Sequence, residues 1–154
     1  MTITIRPAGP ADRAFVVGLA ERMADFDPAP WRTRAELIAG DRRSLESWFD
    51  ASAEGEAMLV AEVDGDPSGC AYLCSEVDYF TGVTHGHLSV LAVSERAEGL
   101  GVGSALVAAS ENWARARGSD RLTLHAMVNN TRARGLYERR GFVAELMRYV
   151  KPLR

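Results

Sequence analysis

The sequence predicts an α/β protein built on a mixed sheet with helices on both faces. Three observations carry this. Apolar runs separated by a tight-turn signal place antiparallel hairpins early in the chain. A strand then passes through a glycine-rich turn into the most regular amphipathic helix of the sequence. A further strand and a short helix follow and complete a β-α-β unit. The predicted order is β-α-α-β-β-β-α-β-α-β.

Each element has a local cause. Residues 2–6 alternate, with Ile3 and Ile5 on one face, and predict a strand. Gly9-Pro10 opens a helix, since proline suits a first turn. Its apolar positions are Phe15, Val16, Leu19, Met23 and Phe26, and Pro28 and Pro30 end it. Residues 33–53 predict one or two helices carrying Leu37, Ile38, Leu45, Trp48 and Phe49, with Gly40 as the point of division. Residues 56–63 are an apolar strand, Asp64-Gly65 is a hairpin turn, and the partner strand covers residues 68–78. Residues 79–86 read as a loop and residues 87–93 as a strand. After the turn Glu98–Gly103, the stripe Val102, Ala105, Leu106, Ala109, Trp113 and Ala116 defines a helix that Gly118 terminates. Residues 121–128 predict a strand, residues 131–140 a short helix, and residues 142–150 a last strand or hairpin.

A chain of 154 residues suits one domain spanning 1–154, with a real core. A net charge of −3 argues against a nucleic-acid partner, because such partners usually go with a basic stripe. Arg132, Arg134, Arg139 and Arg140 lie close together and read as a solvated helix face. Cys70 and Cys74 fall four apart in an extended run, too far for a disulfide. No Cys/His spacing suggests zinc, so no metal is expected. The N-terminal residues do not resemble a signal peptide, and no apolar run is long enough to cross a bilayer. A cytoplasmic protein with no membrane partner is the expectation.

The chemistry concentrates in residues 91–104. Glycines let backbone N–H groups approach a ligand closely, and a helix N-terminus attracts phosphate. The segment alone leaves three readings open: a ligand-free turn, a dinucleotide turn and a coenzyme A diphosphate turn. Gly99-x-Gly101-x-Gly103 does not have dinucleotide spacing, and no acid ends the next strand at Met127-Val128-Asn129.

Downstream, Asn130, Ala133, Leu136 and Tyr137, then Gly141-Phe142, match Asn-x-x-Ala-x-x-Leu-Tyr followed by Gly-Phe. With the glycine turn and the opening Ile5-Arg6-Pro7-Ala8, this resembles the GCN5-related N-acetyltransferase (GNAT) superfamily over the whole chain. One departure stands out: Glu98 occupies a position where the family usually carries Arg or Gln, and its side chain is expected to point into solvent.

The resemblance implies an acetyl-CoA-dependent N-acetyltransferase acting on a primary amine of a small molecule or peptide, with no metal. It implies that Leu91, Ala92 and Val93 pair their backbone with the pantetheine arm. The diphosphate would sit on the amides of Gly99, Leu100, Gly101, Val102, Gly103 and Ser104, and Asn130 would contact the cofactor. Tyr137 matches the family's general acid. His87 stands eleven residues before Glu98, about where a strand glutamate serves as base in histone acetyltransferases of the family. A histidine titrates near neutrality and suits the role. Glu76, Asp78 and His125 are reserves, and many members need no dedicated base.

Each residue also has a plain structural reading: core packing for Leu91, Val93 and Tyr137, a helix N-cap for Asn130, and a structural hydrogen bond for His87. Phe26, Trp31, Tyr79 and Phe80 are candidates to line the acceptor pocket. A homodimer is compatible with all of this. Two other functions compete: a protein lysine or N-terminal acetyltransferase, and a non-catalytic CoA-binding domain.

Overall fold

A computed structural model describes residues 1–154. Five strands form one sheet in the order β1-β2-β3-β4-β5. They are β1 (Ile3–Pro7), β2 (Ala57–Val63), β3 (Asp66–Val77), β4 (Thr84–Val93) and β5 (Leu122–Leu124). The first four pair antiparallel and β5 runs parallel to β4, so the sheet is mixed as predicted. Asp64 and Gly65 both take positive φ, 50° and 88°, as a two-residue hairpin turn requires.

Period-two alternation sorts the strand residues into two cores. Met58, Val60, Cys70, Tyr72, Val90 and Ala92 pack with Val16 of helix α1 (Arg13–Gly18), Leu19 at the junction of α1 with α2 (Ala20–Met23), and Leu45 of α3 (Arg34–Ala51). On the other face, Ala61, Ala71, Leu73 and Leu88 pack with Val102, Leu106 and Val107 of α4 (Val102–Ala116). Tyr137 of α5 (Thr131–Arg139) and Phe142 join that side. Each large apolar side chain so buried contributes about 1.5–3 kcal/mol. Helix α4 lies close on the sheet because Gly69 and Gly86 face it: a Cβ on Gly69 would meet Val102 and Leu106 at 3.1 Å, and one on Gly86 would meet Ala114 at 2.9 Å.

Several elements differ from expectation, each for a physical reason. The first helix breaks at Leu19 and stops at Met23, before Phe26. Arg34 donates to the carbonyls of Ala24 at 2.7 Å and Glu21 at 3.2 Å, satisfying that helix end from α3. Gly40 does not divide α3, which is one helix opened by a capping box: Thr33 Oγ1 accepts from Glu36 N–H, and the Glu36 carboxylate accepts from Thr33 N–H. The buried stripe of α4 is Val102, Leu106, Val107, Ser110 and Ala114, whereas Ala105 and Ala109 are half-buried and Ala116 is exposed. Strand β4 begins at Thr84, absorbing the end of the expected loop.

The largest differences lie at the sheet's far edge. Of the expected strand 121–128 only Leu122–Leu124 enters a ladder, and residues 142–150 form no strand. A strand exists only where a partner supplies its hydrogen bonds. No helix is long and apolar enough to cross a membrane.

Candidate active site

The site begins where β4 and β5 part. Their pairing covers Gly86↔Leu122, His87↔Thr123 and Leu88↔Leu124, and ends there. A bulge between Tyr72 and Leu73 leaves Ser89 unpaired and exposed, and bends β4 at the point of divergence. Beyond it, Leu91, Ala92 and Val93 stay paired with Ala71, Cys70 and Gly69 on one side only. Ser94 N–H donates to Ser68 on the β3 side, at 2.9 Å. By strand alternation the backbone groups of Leu91 and Val93 face the open side. Consistent with this, the Val93 carbonyl accepts from Arg22 at 3.4 Å. The result is a wedge-shaped gap whose β4 wall offers free backbone donors, the place expected to pair an extended ligand. The side chains of Leu91 and Val93 pack against the α4-side core at the same time.

An anion cradle follows the gap. Gly99 and Gly101 take φ of 77° and 89°, and Gly101 is the N-cap of α4. The N–H groups of Gly99, Gly101, Val102, Gly103 and Ser104 have no acceptor within the chain, and the first helical bond there is Ala105 N–H to Gly101. Leu100 differs from the others, because its N–H donates to Ala97 within the turn. Five unpaired donors at a helix N-terminus suit a diphosphate. Gly103 serves packing as well: a Cβ there would stand 3.1 Å from Leu136 Cδ2, so its absence lets α5 approach α4.

Glu98 does not point into free solvent. Its carboxylate accepts from Arg132 at 2.6 Å and Arg22 at 2.9 Å, and these two arginines hold it below the ordinary carboxylate range. Arg22 comes from α2 and Arg132 from α5, 76 and 34 residues away in sequence. The acid in a position usually basic therefore assembles two guanidinium groups beside the cradle. Neither arginine carried a sequence signal for this role, because the ion pairs are long-range.

At the mouth of the gap lies a histidine cluster. His85 and His87 are each 5% exposed. His87 Nδ1 is 2.9 Å from Thr123 Oγ1 and 3.4 Å from Glu76 Oε2, and His85 Nε2 is 3.0 Å from the same hydroxyl. The His125 ring centre lies 5.0 Å from that of His87. Burial lowers the His87 pKa below 6.5, with His125 and His85 acting in the same direction and Glu76 opposing. His87 is thus neutral at pH 7. The Thr123 hydroxyl has one proton, so it donates to one imidazole and accepts from the other. With Glu76 within reach of His87 Nδ1, the proton sits best on that atom, which leaves Nε2 as the basic nitrogen. His87, Glu76 and His125 are therefore brought together. Asp78 instead ties its own loop, accepting from Phe80 and Thr81 N–H.

Helix α5 carries the remaining pair. Asn130 is its N-cap: Oδ1 accepts from Ala133 N–H at 3.2 Å, which leaves the side-chain NH₂ free. Tyr137 packs edge-on against Phe142 at 5.9 Å, and burial pushes its phenol up to about 12. It stays protonated at neutral pH. The four aromatics do not close a pocket. Phe26 meets Met127 and Val128 across a small cavity, but Tyr79 and Phe80 are 92% and 77% exposed, stacked edge-on at 5.2 Å, and Trp31 is also exposed. No group of His, Cys, Asp and Glu is arranged to hold a metal.

Comparison with known proteins agrees with this geometry. The sequence model of the Acetyltransferase (GNAT) family matches residues 19–142. Mycothiol acetyltransferase of Stackebrandtia nassauensis is 35% identical over 145 residues, covering 88% of this chain and 45% of that protein. The chain spans less than half the length of the curated relatives it matches. A GCN5-related N-acetyltransferase of Ralstonia eutropha superposes with a TM-score of 0.73 at 22% identity, covering 99% of both chains. A ribosomal-protein-alanine N-acetyltransferase of Brucella melitensis superposes with a TM-score of 0.72 at 22% identity, covering 99% of this chain and 100% of that one. With its glycine turn, its asparagine-capped α5 and more than three quarters of its length inside the family match, the chain belongs to the GNAT acetyltransferase family.

Proposed function

We propose that residues 1–154 form an acetyl-CoA-dependent N-acetyltransferase domain whose acceptor is a primary amine of a small molecule or peptide. The observation that carries this is the run of five unpaired amides at the start of α4, continuous with the open β4 backbone edge. The curated relatives named mycothiol acetyltransferase support a small-molecule acceptor. The protein is further proposed to work as a homodimer in the cytoplasm.

Bound acetyl-CoA would supply an acyl carbonyl and a thiolate leaving group. The amides of Gly99, Gly101, Val102, Gly103 and Ser104 bind its diphosphate, and Arg22 and Arg132 add positive charge. The side-chain NH₂ of Asn130 is free to donate to the cofactor. Val93 and Leu91 N–H groups bind the arm and polarise the carbonyl. His87 Nε2 takes a proton from the attacking amine, directly or through one water, while Glu76 and Thr123 hold the imidazole. The Tyr137 phenol gives a proton to the departing sulfur. One N–C bond forms and one C–S bond breaks, and a proton passed through solvent from the His87 imidazolium to the Tyr137 phenolate restores both groups.

A thiol-release assay with acetyl-CoA against polyamines, amino acids, aminoglycosides and lysine peptides tests this reading. Amine-dependent release with a small amine supports it. Release with lysine peptides alone assigns the domain to protein acetylation. Tight CoA binding with no release for any amine identifies a non-catalytic CoA-binding domain.

A further inference from the structure

Three buried side-chain atoms have no hydrogen-bond partner: Trp48 Nε1, Ser94 Oγ and His85 Nδ1. The last stands apart, because the other nitrogen of the same ring is engaged. His85 Nε2 lies 3.0 Å from Thr123 Oγ1, and His87 Nδ1 lies 2.9 Å from the same oxygen. Register explains the meeting. His87 and Thr123 are direct partners across the β4–β5 ladder. His85 precedes His87 by two residues on β4 and so shares its face. The bonds therefore run from His85 through Thr123 to His87. At the far end, 3.4 Å from His87 Nδ1, stands the Glu76 carboxylate.

Such a chain has two good orders. In the first, His87 Nδ1–H donates to Thr123, the hydroxyl donates to His85 Nε2, and the His85 proton sits on Nδ1. In the second, every bond is reversed. His85 Nε2–H donates to Thr123, the hydroxyl donates to His87 Nδ1, and the His87 proton sits on Nε2. A hydroxyl accepting from both rings would leave its own proton without a partner. Only the first order leaves His87 Nε2 free to accept a proton.

The two ends of the chain favour opposite orders. His85 is 5% exposed and its Nδ1 is closed off from solvent. The first order puts a proton there that nothing accepts, whereas the second leaves a bare lone pair. An unpaired buried N–H is the rarer and costlier of the two. Glu76 reverses the preference. In the first order its carboxylate accepts from His87 Nδ1–H, a charge-assisted bond. In the second it faces the Nδ1 lone pair and is repelled. His87 Nε2 does not decide between them: it has no partner in the chain, but it is not closed off from solvent.

We propose that Glu76 is a positioning residue that holds the His85–Thr123–His87 chain in the order the reaction needs, against the reverse order that His85 favours. Without the carboxylate the chain reverses. Each ring keeps one proton, the hydroxyl turns round, and no charge changes. His87 then presents an N–H where the amine proton should be received. The effect on turnover rests on His87 being the base, and the order of the bonds does not.

Imidazole nitrogen NMR at about pH 8, where His87 is neutral, reads the order without CoA or turnover. The wild type is expected to carry Nδ1–H at both His85 and His87. Glu76 is half-exposed, so Glu76→Ala should fold. It is expected to move both rings to Nε2–H together and to cut turnover roughly 10-fold. Thr123→Val removes the link with a side chain of the same shape. Added to Glu76→Ala, it frees His87 from His85, both His87 tautomers are populated, and turnover recovers about threefold or more. A merely structural role for Glu76 predicts that the second substitution adds to the damage. Nε2–H at His87 in the wild type, or Glu76→Ala rings that stay as they were or flip one without the other, would overturn the proposal. So would a loss of turnover in Glu76→Ala that Thr123→Val does not relieve. Rings that flip together with turnover unchanged leave the bond order standing and remove His87 as the base.

Discussion

Replacing Gly101 with alanine isolates the backbone's part in cofactor binding. Gly101 has φ of 89°, and the atom nearest an added Cβ is Ile3 Cδ1 at 3.9 Å. There is room for the methyl group, so the cost is conformational: roughly 1 kcal/mol to hold an L-residue in that region. If the turn relaxes instead, it re-aims the Gly101 and Val102 amides, and each lost bond to a charged group costs about 1.5–3 kcal/mol. CoA affinity should then fall roughly 10- to 100-fold for each bond lost. Gly65→Ala is the control. Its φ is 88° with nothing within 4 Å of the new Cβ, but it sits in the β2–β3 hairpin. Both variants should lose a similar few degrees of melting temperature, and only Gly101→Ala should lose CoA affinity by calorimetry. Equal affinities for the two folded variants would refute the assignment of these amides to the diphosphate.

Four further outcomes are expected. Tyr137→Phe should lower turnover by about 10²–10⁴-fold with CoA affinity nearly unchanged; a drop in melting temperature with normal turnover would make Tyr137 a core residue only. Arg22→Ala/Arg132→Ala should weaken CoA binding and flatten its salt dependence, since Glu98 then stands unpaired beside the cradle; an unchanged salt slope would remove the arginines from the site. By imidazole NMR, His87 should titrate below pH 6.5, and Glu76→Gln should lower it further, because Glu76 raises it; an upward shift would contradict the cluster's geometry. Because the folded His87 value is depressed, its stability contribution is full above pH 6.5 and is lost as pH falls toward the folded value, so melting temperature should drop in that window.

The parts legible in the sequence are the local ones. The Asp64-Gly65 hairpin, the strand-glycine-helix run through α4 and the Asn130 cap each depend on residues a few positions apart, and all three are present. The Arg22–Glu98–Arg132 clamp joins three elements, and nothing near Glu98 announces it. Thr123 was hidden for the same reason, since its hydroxyl matters only once β5 lies beside β4 and brings it to both imidazoles. The strand expected over 121–128 is present but shortened to Leu122–Leu124, and the one expected over 142–150 is missing, because composition alone cannot supply a pairing partner. Residue type alone suggests Phe26, Trp31, Tyr79 and Phe80 as lining of one pocket, yet Phe26 lines a small cavity that Tyr79 and Phe80 do not reach.

An amide-resolved NMR titration of the chain with acetyl-CoA tests the central claim most directly. The account predicts saturable shifts at Gly99, Gly101, Val102, Gly103 and Ser104, joined by Leu91 and Val93 along the open edge of β4, with the Gly65 hairpin unmoved. Saturable binding that leaves the 99–104 amides in place, or no binding at all, would contradict it.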